Sequence, residues 1–147
     1  MSMIDDILTR LGIKGENDFE NANSGRKTSI SDDRINDFLN NLKGNAKKAG
    51  IVVTRKALQA FYLLVEIMKS PDISTIDKVL VVGVILYIIN QSDLISDALG
   101  LFGFIDDIAI AALEYRRLKK IVTPEMIRNA TQKAESKLFD WGMVDVA

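Results

Sequence analysis

The 147-residue chain carries 19 Lys and Arg against 20 Asp and Glu, is 48% apolar and 27% charged, and contains neither His nor Cys. That composition suits one folded domain plus a tail, and it excludes disulfides, thiolate nucleophiles, zinc–thiolate sites, Ser–His triads and imidazole ligands. A net charge of −1 argues against nucleic-acid binding by the whole surface, so any chemistry falls to carboxylates, Lys, Tyr or hydroxyls.

Met3, Ile4, Ile7, Leu8 and Leu11 recur at helical spacing, which predicts a short amphipathic helix within residues 1–13. Asp5 and Asp6 stand where a secretory signal needs a basic start, so the segment is not read as a signal peptide. Together with the lack of Cys, this points to an intracellular protein, cytoplasmic or peripheral to the inner face of the membrane. Residues 14–30 are polar and rich in Gly, Asn and Ser, the composition of a flexible linker. The first helix is therefore tethered to a domain over residues 31–142.

Ser31, followed by Asp32 and Asp33, is a helix start, and Gly50 is the matching stop. Between them Ile35, Phe38, Leu39, Leu42, Ala46 and Ala49 form one apolar stripe. Thr54 is the expected cap of a second helix through Met68, whose apolar face is Leu58, Phe61, Tyr62, Leu64, Val65 and Met68. Pro71 breaks the chain, and Ser74 with Asp77 resembles a capping box in which Asp replaces Glu. That box opens a third helix from Thr75 to about Ile89.

Residues 79–89, VLVVGVILYII, have no polar face. A helix of this kind belongs at the centre of a bundle or in lipid. β-Branched residues make a buried strand the rival reading, but the length and the helical neighbours favour helix. A short helix is expected near Leu94–Leu99, then a turn around Gly100–Gly103, then a helix from about Phe104 to Ile121. The last helix has Thr123 as cap, Pro124 in its first position and Glu125 in its first turn. Met126, Ile127, Ala130, Ala134 and Leu138 define its buried face, and Trp141 with Gly142 closes it. The predicted fold is all-α: a compact bundle of about five helices around the apolar helix 79–89.

Four carboxylates, Asp93, Asp97, Asp106 and Asp107, lie inside the most apolar third of the chain. Asp is rarely buried unless paired or hydrogen-bonded. Here the run Tyr87-Ile88-Ile89-Asn90-Gln91-Ser92-Asp93-Leu94-Ile95-Ser96-Asp97, followed by Gly103-Phe104-Ile105-Asp106-Asp107, resembles the signature of the YkvA-like proteins, a bacterial domain of unknown function. The family pattern is an apolar helix ending in Tyr, a Ser/Asn-Pro-x-Asp-Leu-Ile-Pro-Asp run, an apolar turn and Gly-Tyr/Phe-Leu/Ile-Asp-Asp. The likeness extends over residues 55–140, while Gln91, Ser96 and Gly100 stand where the family usually has Pro. The resemblance implies a small helical protein, often predicted to be membrane-associated, with no activity generally assigned.

Helix capping is the preferred role for the four Asp. Asp93 can cap the helix that follows it, Asp106 and Asp107 fall in the first turn of the next, and Asp97 can accept from the glycine turn or pair with a Lys or Arg. The alternative is a Mg²⁺ or Ca²⁺ site, because converging carboxylates repel one another until a cation neutralises them. No catalytic residue and no other cofactor is assigned.

Two apolar stretches, 79–92 and 98–113, could form a re-entrant hairpin, with Arg116, Arg117, Lys119 and Lys120 as a basic anchor. Against that, an Asp at the bilayer centre costs about 2.5–3.5 kcal/mol on the insertion scale. A bundle in which the amphipathic helices wrap 79–89 is preferred. A second basic patch, Lys43, Lys47, Lys48, Arg55 and Lys56, lies near Gly50, but no nucleic-acid motif accompanies it. The resulting expectation is a non-enzymatic helical binding module that works through a membrane surface or a protein partner, with residues 116–120 as one interaction surface. Its rival is a divalent-metal-dependent, hydrolase-type enzyme built on the Asp cluster.

Overall fold

The computed structural model describes residues 29–94 and 116–145. Within them the backbone forms α1 (Asp32–Ala49), α2 (Ile51–Lys69), α3 (Thr75–Leu94), α4 (Arg116–Ile121) and α5 (Pro124–Asp140). No strand occurs among the described residues, and the architecture is the expected all-α bundle. The predicted helix within 1–13, the linker up to residue 28 and the elements expected over residues 95–115 lie outside the described residues.

Helix α1 starts where its chemistry directs. Ser31 Oγ accepts the Arg34 amide at 3.3 Å. Asp32 and Asp33 occupy the first turn and Lys47 and Lys48 the last, so both ends complement the helix dipole. Ile30, just before the cap, is buried in the same core as Ile35. These are the two positions of a hydrophobic staple, and they bring Ile30 from the edge of the predicted linker into the folded part.

The second helix begins earlier than its predicted cap. Gly50 alone separates α1 from α2, at φ +90° and ψ 166°, a conformation open essentially to glycine. Its amide donates to the Ala46 carbonyl at 2.9 Å and its carbonyl accepts the Thr54 amide at 3.1 Å, so one residue serves both helix ends. Thr54 is therefore not a cap. It sits one turn inside α2, fully buried, and its hydroxyl donates to the Ala46 carbonyl at 3.4 Å. The hydroxyl is a second donor to that carbonyl, beside the Gly50 amide.

At the start of α3, the Asp77 amide donates to Ser74 Oγ at 3.2 Å, and the Ser74 hydroxyl donates to Asp77 Oδ2 at 2.9 Å. The shorter Asp side chain closes the capping box through the hydroxyl. The helix then runs to Leu94, beyond the expected end near Ile89. Gln91 supplies an amide where the resembling family has Pro, so nothing interrupts the hydrogen-bond ladder there. Asp93, expected to cap a helix beginning at Leu94, lies instead in the last turn of α3.

Thr123 Oγ1 accepts the Met126 amide at 3.1 Å to open α5. At the other end Gly142, at φ +72°, donates to the Phe139 carbonyl at 3.0 Å, and Met143 donates to the Leu138 carbonyl at 2.9 Å. This is a Schellman closure, and it folds Met143 and Val144 back against the core.

Packing centres on α2 and α3. Along residues 79–89, Val81, Val84, Ile85 and Ile88 are fully enclosed and Val79, Leu80, Val82 and Ile89 nearly so. Helix α2 packs against α5 along most of its length, and also against α3 and α1. Its pairing with α5 is antiparallel: Arg55, near the start of α2, binds Glu135 near the end of α5, through Nε and, at 3.3 Å, through Nη2. Phe38 of α1 stacks on Phe61 of α2 with ring centroids 4.4 Å apart. Phe61 has no exposed surface, and its truncation to Ala is expected to cost about 3–5 kcal/mol of stability. Urea denaturation checks this against Val52→Ala at a 62% exposed position, expected to shift stability by at most about 0.5 kcal/mol.

Candidate functional site

A groove runs between α2 and α5 on the described surface. Lys56, Gln59, Ala60 and Leu63 line it from α2; Ile127, Ala130 and Thr131 line it from α5; its volume is about 360 Å³. Four of these seven lining residues, Ala60, Leu63, Ile127 and Ala130, are apolar. Ile127, predicted on the buried face of the last helix, is 50% exposed. It keeps the period of Ala130, Ala134 and Leu138, but it borders the groove rather than a partner side chain. Val52, one turn before Lys56 on the same face of α2, is also exposed. Two ion pairs brace the α2–α5 seam, Arg55–Glu135 and, at 3.2 Å, Lys133–Glu66.

Of the groove residues, only Lys56 was weighed for function in the sequence, as part of the second basic patch. The signal that could have found them is a run of positions 52, 56, 59, 60 and 63 on one face of α2. That face carries two apolar residues and an alanine among Lys and Gln, too polar for core and too apolar for a solvated face.

Other predicted site residues divide by position. In the basic run, Leu118 points inward with no exposed surface, while Lys119 and Lys120 are exposed in the last turn of α4. Arg116 and Arg117 open that helix. Of the Asp cluster, only the backbone of Asp93 is described; Asp97, Asp106 and Asp107 lie outside the described residues. Among the described residues, no group of three or more acidic side chains is placed to hold a metal ion.

Residues 77–113 match the family model described as "Protein of unknown function (DUF1232)". The match begins at the capping-box residue Asp77, follows α3 and takes in all four Asp of the cluster. Comparison with curated proteins and with solved structures finds no match. The DUF1232 segment thus carries the apolar helix, whereas the α2–α5 groove lies outside it. Among the described residues no helix is long and apolar enough to cross a membrane.

Two measurements address the titratable groups. Thermal unfolding with millimolar Mg²⁺ or Ca²⁺ distinguishes capping from cation binding at the DUF1232 carboxylates. Capping predicts an unmoved melting temperature; a cation at 100 times its dissociation constant would add about 2.7 kcal/mol, a gain that Asp93→Asn/Asp97→Asn would abolish.

Tyr62 is almost fully buried, and its phenol is pushed up to about 12, first by burial and then by the nearby Asp140 carboxylate. The neutral phenol is the form that the fold favours. Its contribution is complete below the ordinary tyrosine range and is lost as pH rises from about 10 to about 12. Alkaline denaturation followed by circular dichroism should therefore be shallower in Tyr62→Phe, by at most about 2–3 kcal/mol.

Proposed function

We propose that this protein is a non-enzymatic helical binding module of the YkvA-like type, which receives an amphipathic helix of a protein partner in the α2–α5 groove. The observation that carries the reading is the pairing of an apolar floor, Ala60, Leu63 and Ala130, with the half-exposed Ile127 on a seam otherwise closed by packing and ion pairs. A groove of this kind accepts apolar residues at i, i+3, i+4 and i+7 of an incoming helix. Lys56 and Gln59 at its edge favour a ligand with acidic or amide flanks. The cysteine-free composition suits work inside the cell, in the cytoplasm or at the inner face of the membrane.

A second reading, contact with an anionic membrane surface, draws support from the exposed Lys119 and Lys120, set outward by the buried Leu118.

Photo-crosslinking in the source cells tests the first reading. A photoreactive residue at Thr131 should give a discrete adduct with another protein. The same probe at Asn40, on the exposed side of α1, should not. Ile127→Asp should reduce the Thr131 adduct about tenfold or more, in line with the loss of one buried apolar contact and the burial of a charge. Adducts with lipid alone would favour the membrane reading, and no adduct above the Asn40 control would overturn the groove reading.

A further inference from the structure

The amphipathic helix that the groove receives has a candidate on the protein's own surface. Resting on the groove reading above, we propose that the partner is a second copy of this chain, whose α5 lies antiparallel against α5 across a two-fold axis near Thr131.

The first observation is where the exposed apolar side chains lie. At about 100° per residue, Ile127, Arg128, Thr131, Glu135 and Phe139 fall within about 120° of the circumference of α5. The neighbouring row, Ala130, Ala134 and Leu138, is buried in the core. Ile127 and Phe139 are nonetheless 50% and 47% exposed, and Val52, 62% exposed, stands on the α2 side of the same seam. The Arg55–Glu135 pair fixes the antiparallel register of α2 and α5. One helical turn outward from that pair, Val52 and Phe139 come to the same level. Three of the four large apolar side chains that are exposed among the described residues thus lie along this face.

The second is the order of the charges. From Ile127 to Phe139 the row runs apolar, basic, neutral, acidic, apolar. A two-fold interface sets such a row against itself read backwards. The second copy's Phe139 then meets Ile127, and its Glu135 meets Arg128, with the same two contacts repeated on the other side of the axis. The apolar pair is centred on position 133 and the charged pair between positions 131 and 132, so one axis serves both. A parallel pairing would instead oppose Arg128 to Arg128 and Glu135 to Glu135, which repulsion disfavours.

The third is the groove. The second copy's Phe139, brought against Ile127, arrives at the apolar part of the lining, Ala60, Leu63 and Ala130. Glu135 is already held in place by Arg55 through both carboxylate oxygens, and a carboxylate has lone pairs left for a second guanidinium. The paired face is about 18 Å long and two helices, roughly 20 Å, wide. That is about half of the roughly 800 Å² per partner of a standard interface, so the dimer is reversible and forms as concentration rises.

The cysteine-free chain makes the pairing directly readable. In the full chain, Thr131→Cys puts one thiol per copy close to the axis, and mild oxidation should join two chains by a disulfide. Asn40→Cys, on the exposed side of α1, is the collision control and should crosslink about tenfold more slowly. Added to Thr131→Cys, either Arg128→Glu or Glu135→Lys sets like charges at both contacts, and each alone should slow the disulfide about tenfold or more. Mixed one to one, these two variants regain opposite charges at both contacts, and the mixed disulfide should form at the rate of Thr131→Cys alone. Sedimentation of the unmodified chain, from micromolar to near-millimolar concentration, tests the dimer without any substitution and should shift from one chain toward two. A single-chain mass throughout that range overturns the proposal, as does a mixture that crosslinks no faster than either variant by itself. A Thr131 photo-adduct with an unlike protein would still stand for the groove reading in both cases, so the two failures are separately visible.

Discussion

Residues 79–89 have no side on which they can meet water, and the rest of the bundle answers that constraint. Burying a large apolar side chain contributes about 1.5–3 kcal/mol relative to leaving it exposed. Eight residues of this stretch of α3 are buried together, so their enclosure outweighs any single cap or ion pair. Helix α2 meets the same constraint from the other direction. It is buried over Thr54, Ala57, Leu58, Phe61, Tyr62, Leu64, Val65, Ile67 and Met68, and it touches α1, α3 and α5. The two most apolar described helices pack together, and the amphipathic ones, α1 and α5, cover them.

The helix ends are set by smaller, local forces. The side-chain oxygens of Ser31, Ser74 and Thr123 each accept the backbone amide three residues on, a contribution of about 1 kcal/mol apiece. Such interactions cannot build a core, but they decide where each helix begins and so which residues face inward. Gly50 shows how tight this control is. With one residue between α1 and α2, the Ala46 carbonyl receives both the Gly50 amide and the Thr54 hydroxyl. Any side chain at position 50 would be strained at φ +90°. The ion pairs along α2 and α5 are partly exposed and contribute little to stability. Their effect is on register, since the Arg55 guanidinium meets both oxygens of Glu135 and aligns one helix with the other.

Function enters where packing leaves off. The α2–α5 seam is closed near Arg55 and Glu135 and open at Ala60, Leu63, Ala130 and Ile127. The apolar groove and the basic run 116–120 lie on different elements, α2 with α5 and α4 respectively.

Most of the fold was legible in the sequence. The stripe Ile35–Phe38–Leu39–Leu42–Ala46, the caps at Ser31, Ser74 and Thr123, and the stop at Gly50 all follow from periodicity and turn chemistry, which act within a few residues. The early start of α2 was hidden because a glycine serving two helices looks in sequence like a simple stop. The run of α3 through Asp93 was hidden because the apolar stretch ends at Ile89 and the polar residues after it read as a break. The basic run Arg116, Arg117, Lys119 and Lys120 was visible in the sequence as a charge pattern, whereas the groove was not. A groove is the space left between two helices far apart in the chain, and Ile127 has the period of a core residue. By itself the sequence determined which side of each helix is apolar and where most helices stop, because those depend on neighbours along the chain. The tertiary structure alone decided which apolar side chains remain uncovered, because that depends on the size of the residues standing opposite them.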